Sequence, residues 1–268
     1  MKRIILIVLL IISMSEAKKP YKYSKYTYIP TNAYEVLPEL YDKANAIAPN
    51  VDPYYFAALI EHESCICITP TRRCRRCFNP TSRLKTKREE GAGLFQLTRA
   101  YRRNGSIRFD IIKTLKRKYS NELSELNWGN VYSRPDLQII AGLLLWKSNY
   151  DNLPKHLDPL VKRRFTDSIF NGGTKFFNRE RRSCGLKRGC NPNLWYGNVA
   201  DTSSGRNKRA LYSGKTAWQI NRRHVKDVEQ RMSKYEKDYY DQYYKYQEYI
   251  INSNTAPMYT SKDYKQPY

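Results

Sequence analysis

Residues 51–64, VDPYYFAALIEHES, predict the helix around which the rest of the chain is organised. Asp52 is a suitable N-cap, and Pro53 occupies the first helical position, where its missing N–H group costs nothing. Apolar residues follow at helical spacing and predict a buried stripe that contains Phe56. Because Glu63 comes seven residues after Phe56, it lies within about 20° of Phe56 on the same face at 3.6 residues per turn.

Glu63 is therefore expected on the apolar face, close to the C-terminal end of the helix. Burial and the negative end of the helix dipole both disfavour an ionised carboxylate there, which is the environment of a general acid. Glu61 is rotated by roughly 200° from Glu63 and is expected to face water. On the helix alone, the simpler interpretation of Glu63 is a structural carboxylate paired with a Lys or Arg side chain.

Two further segments favour the interpretation of Glu63 as a general acid. They are FNPTSRLKTKREE at residues 78–90 and GAGLFQL at residues 91–97. With the Glu-Ser pair at 63–64, the Asn-Pro pair at 79–80 and Ser82, they resemble the signature of soluble lytic transglycosylases and goose-type lysozymes. In that family a Glu-Ser pair ends a helix and an Asn-Pro-x-Ala-x-Ser stretch follows. A Gly-Ala-x-Gly-Leu-Met-Gln turn then opens the next helix.

The resemblance covers residues 51–220 and implies a mainly α, lysozyme-like (SLT-type) single domain. The implied reaction is cleavage of the β-1,4 bond between N-acetylmuramic acid and N-acetylglucosamine in peptidoglycan, with Glu63 as the acid. With a single acid, the family route is attack by the muramyl 6-hydroxyl, which gives a 1,6-anhydro product and requires no metal or organic cofactor. A second carboxylate would instead mark a hydrolytic, goose-type muramidase, but Glu89 and Glu90 match no acid of the family.

The same resemblance implies which residues surround Glu63. Ser64 would support the acid, and Gln96 would line the saccharide groove. The family has an Ala-Tyr-Asn-x-Gly stretch where this chain has Phe170 and Asn171 before two glycines. Asn171 would therefore bind the saccharide, whereas Phe170 keeps an aromatic ring for stacking and lacks the tyrosine hydroxyl.

The N-terminus predicts export. The chain begins with Met-Lys-Arg, continues with nine apolar residues at 4–12, and then has small residues at the positions that a signal peptidase reads, Ser15 and Ala17. Nine residues are too few to cross a hydrocarbon core of about 30 Å. Residues 1–17 are predicted to be a cleaved signal peptide that leaves no membrane span, with an uncleaved anchor as the alternative. Residues 18–31 predict a flexible lead-in.

The cysteines fit an oxidising compartment, periplasmic or extracellular. An even number of cysteines in an exported chain favours disulfides. A zinc site is the alternative, because Cys74 and Cys77 have the spacing of zinc ligands. The pairing within the first cluster stays open. The six disulfide candidates are Cys65, Cys67, Cys74, Cys77, Cys184 and Cys190.

The net charge of +23, from 48 Lys and Arg against 25 Asp and Glu, favours an anionic polymer as partner. For an exported monomer we expect peptidoglycan glycan strands and anionic cell-wall polymers. Nucleic-acid binding is an alternative from another class, motivated by the charge and the interleaved tyrosines, but export argues against a specific nucleic acid. A non-catalytic wall-binding protein is a further alternative, motivated by Phe170 and the Cys-rich insert.

The predicted catalytic domain covers residues 32–232. It begins with a helix at 32–48, and its core helix is PDLQIIAGLLLWKSNY, which starts at Pro135. A basic helix is expected after GAGLFQL, followed by an amphipathic helix at 107–119. Residues 233–268 predict an extension without chemistry, first helical and then disordered. Its tyrosines form one stripe: Tyr235, Tyr239, Tyr243 and Tyr246.

Overall fold

The computed structural model describes residues 26–65, 77–86, 88–206, 208, 210–212 and 214–253. The expected signal peptide, most of the expected lead-in and residues 254–268 of the disordered tail predicted at 251–268 lie outside these ranges. So do Cys67 and Cys74.

The protein is mainly α, as the sequence predicts. Short 3₁₀ turns accompany the helices at Thr31–Glu35, Val131–Ser133 and Val199–Asp201. Within the described ranges, no helix combines the length and apolar character needed to cross a membrane. The helices are α1 Leu37–Ile47, α2 Pro53–Ser64, α3 Ile111–Lys118, α4 Ser120–Leu123, α5 Pro135–Asp151, α6 Pro159–Gly172, α7 Thr174–Gly185 and α8 Ala217–Ser253.

Two small antiparallel sheets complete the fold. The larger sheet has the strand order β1-β2-β3-β4, so each strand pairs with its neighbour in sequence. Its strands are β1 Arg83–Lys85, β2 Glu89–Ala92, β3 Leu97–Tyr101 and β4 Ile107–Asp110. The smaller sheet pairs β5 Ala210–Tyr212 with β6 Lys215–Thr216.

The main core lies inside a ring of helices. Helix α1 packs on α2, α2 on α8, α8 on α6, α6 on α5, and α5 on α1. Aromatic side chains fill the ring: the Trp146 ring on α5 lies 5.3 Å from that of Tyr55 and 5.1 Å from that of Phe56, both on α2. The Trp146 indole N–H donates a hydrogen bond of 3.0 Å to the Tyr55 hydroxyl. A second apolar cluster around Phe165 joins α6 to α7 and the following loop.

Helix α2 is buried on almost every side. It begins at Pro53, as expected, and its covered residues include both the Phe56 stripe and the opposite face. The expectation that Glu61 faces water is wrong, because α8 packs along that face and leaves the Glu61 side chain 0% exposed. The face of α2 that carries Glu61 is therefore an interface with α8 and not a solvent face.

The GAGLFQL segment forms a hairpin rather than the start of a helix. It supplies the end of β2, a turn, and the start of β3, with Gly91 opposite Thr98 in register. Two residues of the turn, Gly93 and Gln96, have φ angles of +71° and +48°. This left-handed backbone reverses the chain direction, so the expected basic helix is replaced by a strand.

The helix expected at residues 107–119 is divided at Asp110. The first four residues form β4, and α3 starts at Ile111. The Asp110 carboxylate accepts a hydrogen bond of 3.0 Å from the Lys113 backbone N–H. Asp110 is thus an N-cap, and an N-cap residue has a non-helical backbone, which fixes the boundary between strand and helix.

Helix α8 runs without a break from Ala217 to Ser253. The domain boundary predicted between residues 232 and 233 therefore falls inside one helix. The first residues of the expected extension are part of the core: Tyr235 is fully buried, and the Tyr239 ring packs 5.0 Å from that of Tyr41 on α1.

Candidate active site

Glu63 lies one residue before the end of α2 and keeps 14% of its side chain exposed. Its Oε1 atom is 2.5 Å from Nε2 of His224 on α8. Of the two carboxylates at this helix end, Glu63 is thus the one that solvent reaches.

Glu61 is instead a structural carboxylate. Its Oε2 atom accepts hydrogen bonds from the Lys234 ammonium at 2.6 Å and the Tyr235 hydroxyl at 2.5 Å. Its Oε1 atom is 3.6 Å from Nε of Arg231. The alternative raised for Glu63, pairing with Lys or Arg, therefore describes Glu61.

His224 lies between two carboxylates. The imidazole is 2% exposed, and its Nδ1 atom is 3.4 Å from Oδ1 of Asp167 on α6. Both of these atoms are buried, and neither makes a hydrogen bond with another described residue. Burial opposes protonation of the ring, but the charges of Asp167 and Glu63 outweigh it and raise the pKa of His224 to about 10. The ring is therefore an imidazolium at neutral pH.

Asn171 belongs to the same interface between α6 and α8. Its side-chain carbonyl accepts a hydrogen bond of 3.1 Å from the Asn221 amide, which also donates to the Ser168 backbone carbonyl at 2.8 Å. Asn221 lies one helical turn before His224 on α8. The predicted residue Asn171, which is exposed, is thus hydrogen-bonded to the same helix, α8, that carries the Glu63 partner His224.

Two serines of the motif fix the end of α2. The buried Ser64 hydroxyl donates to the Ile60 carbonyl at 2.6 Å and accepts from the Phe78 N–H at 2.8 Å. The Ser82 hydroxyl donates to the Ser64 carbonyl at 3.1 Å, and the Ser82 carbonyl accepts from the Gly93 N–H at 2.7 Å. Ser64 therefore supports the helix end and does not line the groove.

Gln138 on α5 connects the two halves of the motif. Its side-chain carbonyl accepts from the Leu94 N–H at 2.8 Å, and its amide donates to the carbonyls of Pro80, at 2.9 Å, and Val131. Gly93 is essential to this arrangement, because a Cβ atom there would lie 2.0 Å from the Gln138 side-chain oxygen. Sequence reasoning missed Gln138, although a buried amide in the apolar helix that starts at Pro135 was a visible signal.

Phe95 and Phe170 bring the hairpin against α6. Their ring centroids are 6.3 Å apart. Gly142 on α5 makes room for Phe95, because a Cβ atom at Gly142 would lie 2.1 Å from the ring. The Gln96 side chain turns back onto its own loop and donates to the Gly93 carbonyl at 2.8 Å. Phe170 thus packs near Phe95 of the hairpin. The Gln96 side chain instead binds the backbone of its own turn.

Glu90 lies on β2 and is surrounded by hydrogen-bond donors. Arg83 and Arg99 contact its two oxygens at 2.5 and 3.0 Å, and the hydroxyls of Tyr101 and Tyr132 donate to it at 3.2 and 3.3 Å. Burial alone would raise the pKa of Glu90, but hydrogen bonds from Arg99 and Arg83 lower it to about 2. Glu90 therefore anchors the sheet as a permanent anion.

Two disulfides are present in the described residues, Cys65–Cys77 and Cys184–Cys190. The first follows α2 directly and closes the Cys-rich insert two residues after Glu63. The two sulfur atoms and a carboxylate oxygen of Glu61, all of which are potential metal ligands, lie within 4.8 Å of one another. Because the sulfurs are bonded to each other, they are not free thiolates. Disulfides fit an oxidising, exported compartment.

No protein-family model and no curated protein matches this chain.

Proposed function

We propose that this protein is an exported peptidoglycan lytic transglycosylase with a lysozyme-like fold, in which Glu63 is the single catalytic acid. The observation that carries the proposal is the position of Glu63. It is a partly exposed carboxyl near the end of an otherwise buried helix, and the last residue of that helix, Ser64, is joined through Ser82 to the hairpin.

The connections between the motif segments support this proposal. Ser82 joins the end of α2 to the hairpin, and Gln138 joins the Asn-Pro stretch to the same hairpin. These bonds are among buried groups, where each hydrogen bond lost would leave an unsatisfied donor or acceptor. Segments that are far apart in sequence are therefore held in one fixed arrangement, as a catalytic site requires.

The proposed reaction uses Glu63 twice. In the first step the protonated carboxyl gives its proton to the glycosidic oxygen as the bond from that oxygen to the muramyl C1 breaks. In the second step the carboxylate takes the proton of the muramyl 6-hydroxyl as O6 bonds to C1. No water is consumed, the product is a 1,6-anhydro sugar, and Glu63 ends the cycle protonated.

The nearby carboxylates favour this route over hydrolysis. A hydrolase needs a second carboxylate that can reach the sugar or hold a water beside it. Asp167 stands behind the His224 ring and is 2% exposed, so it reaches neither. Glu90 is occupied by two arginines. These arrangements support a reaction in which the nucleophile comes from the substrate.

The proposed groove also has groups for sugar binding. Asn171 is exposed and carries an amide that can bind an N-acetyl group, and the partly buried Phe170 ring offers a stacking surface. The charge of +23 would hold the protein near anionic wall polymers in the periplasm or outside the cell.

The test is mass spectrometry of purified sacculi digested with the wild-type protein, Glu63→Gln and a control, Glu122→Gln. Glu122 is an exposed carboxylate on α4. We expect anhydro-muropeptides from the wild type and the control and none from Glu63→Gln. Reducing muropeptides would show a hydrolase, and a digest without products from the wild type would overturn an enzymatic function.

A further inference from the structure

His224 does more than neutralise a neighbouring charge. It contacts Glu63 through Nε2 at 2.5 Å and faces Asp167 through Nδ1 at 3.4 Å, and it is almost fully buried. Resting on the function proposed above, we infer that His224 is a positioning residue. Asp167 fixes the imidazole through Nδ1, and the imidazole binds Oε1 of Glu63 through Nε2. The Oε2 atom of Glu63 is then the one that carries the proton to the saccharide.

The argument begins with the two oxygens of a carboxyl group. An oxygen that accepts a short N–H hydrogen bond is the poorer place for an acid proton, because the proton and the donor would meet. With Oε1 facing His224, the proton of Glu63 belongs on Oε2. An unrestrained carboxyl would exchange its oxygens by rotation and spend only part of its time in the productive orientation.

The imidazole is itself held in place. The rings of His62 and His224 form a T-shaped contact with centroids 4.4 Å apart, and Asp167 lies at the ring nitrogen opposite Glu63. His62 is on α2 and Asp167 is on α6, and both of these helices pack on α8, which carries His224. A positioning residue works only if its own orientation is fixed by its neighbours, and that condition is met here.

The other charged groups near the ring are already engaged. On α2, the His62 Nδ1 atom is 3.1 Å from Nη1 of Arg231. On α8, Asp227 accepts a hydrogen bond from Tyr26 and lies within ion-pair distance of Arg223. On α6, Arg163 lies over the Tyr55 ring and pairs with Asp52 and Glu229. The described carboxylates that contact the imidazole are therefore Glu63 and Asp167.

The positive charge has a second consequence. Because Asp167 keeps the ring protonated, Nε2 presents a donor both before and after Glu63 gives up its proton. The imidazolium stabilises the carboxylate that forms when Glu63 gives its proton to the glycosidic oxygen.

The first test does not depend on enzymatic activity. Nitrogen-15 NMR of the histidine side chains follows protonation of His224 directly in the full chain. We expect the wild-type ring to titrate near pH 10, and to titrate closer to the ordinary value of about 6.5 in Asp167→Asn and Glu63→Gln. A wild-type ring that titrates near its ordinary value would overturn the inference.

The second test compares two substitutions on cleavage of a short soluble glycan. In His224→Gln the side-chain amide N–H can replace Nε2 and still bind Glu63, without the charge. In His224→Asn the shorter amide can face only Asp167. We expect His224→Gln to retain activity within about tenfold of the wild type. We expect His224→Asn to lose about 100-fold in kcat with little change in KM.

The exposed histidine His156 supplies the control, and His156→Gln should match the wild type. Equal losses in both His224 variants, or losses in KM rather than in kcat, would show a merely structural histidine and overturn the inference. If the wild-type ring titrates as expected while no glycan is cleaved by any variant, the proposed function fails and the ion-pair arrangement stands. The two failures are therefore separable.

Discussion

The two carboxylates at the end of α2 have opposite surroundings, although they are two residues apart. Glu61 meets an ammonium, a hydroxyl and a guanidinium, which together contact both of its oxygens. Glu63 meets one imidazole through one oxygen and remains 14% exposed. A carboxylate whose oxygens are both engaged holds the fold together, whereas one that contacts the described residues through a single oxygen is available for chemistry.

Both environments are created by the same helix. The residues that hold Glu61 lie on α8 at 231–235, and the histidine that contacts Glu63 lies two turns earlier on α8, at 224. The contacts from α8 therefore make Glu61 a structural carboxylate and leave Glu63 for the proposed reaction. Substitutions on α2 and α8 test these two roles separately.

The largest effect is expected for Glu63→Gln. The amide has nearly the same shape but no acid proton, so release of muropeptides should fall by at least about 100-fold. The measurement is product release from sacculi together with thermal unfolding. Glu63→Gln with wild-type activity would show that the acid lies elsewhere.

Cutting the chain after Met232 should be the most destabilising change. It removes Lys234 and the fully buried Tyr235, and it uncovers Glu61. We expect a loss of roughly 5 kcal/mol or more in the free energy of unfolding, or a protein that does not fold. Cutting after Ser253 removes no described residue and is the control. If the protein cut after Met232 unfolds like the wild type in urea, the packing of α8 on α2 is not what stabilises the fold.

Glu61→Gln comes next in size. It should unfold at lower denaturant, with a loss of about 3–5 kcal/mol, because the Lys234 ammonium remains buried without its counter-charge. Any folded fraction should still cleave glycan. Glu61→Gln combined with Lys234→Met removes both charges and should recover much of that loss. No recovery in the double variant would mean that the pair is not the reason for the sensitivity.

Much of the helical framework could be predicted from the sequence. The proline at the start of α2, the apolar run of α5 and the helix near residues 37–47 follow from local signals that the structure retains. Asp52 occupies the N-cap position of α2, but its side chain makes no capping hydrogen bond. The hairpin at GAGLFQL was missed because a helix was expected from the family likeness. The left-handed backbone at Gly93 and Gln96 instead turns the chain into β3.

The surroundings of Glu63 were beyond sequence reasoning for a different reason. The contact from Glu63 to His224 spans 161 residues, and nothing local to α2 indicates it. Helical periodicity predicted that Glu63 is the buried carboxylate and Glu61 the exposed one, because it assumed that one face of α2 is open; Glu61 is 0% exposed and Glu63 is 14% exposed. Only the packing of α8 decides which side chains meet that face.

The raised pKa of His224 should make the stability of the fold depend on pH. The pKa of His224 is about 10 in the folded protein, above the value of about 6.5 expected in the unfolded chain. Its contribution is therefore fully present below about pH 6.5 and is lost as the pH rises toward 10. We expect the wild-type melting temperature to fall over this range more steeply than that of His224→Gln. Parallel curves for the two proteins would contradict the raised pKa.

The smallest effect is expected at Gln138, whose neutral hydrogen bonds fix the surroundings of Glu63. Replacing Gln138 with Leu keeps the approximate size of the side chain but leaves the Leu94 N–H and the Pro80 carbonyl without their partner. The expected loss is about 1–3 kcal/mol in the free energy of unfolding, measured in urea.

The loss of activity in Gln138→Leu should exceed what the unfolded fraction explains, because the hairpin that faces Phe170 is no longer tied to the Asn-Pro stretch. Gln138→Glu keeps the acceptor for the Leu94 N–H and loses the donor to Pro80, so it tells the two bonds apart. If Gln138→Leu is as active and as stable as the wild type, the motif segments are held by apolar packing at Phe95 and Gly142 instead. The site around Glu63 would then depend on shape rather than on hydrogen bonds, in contrast to the charged contacts of Glu61.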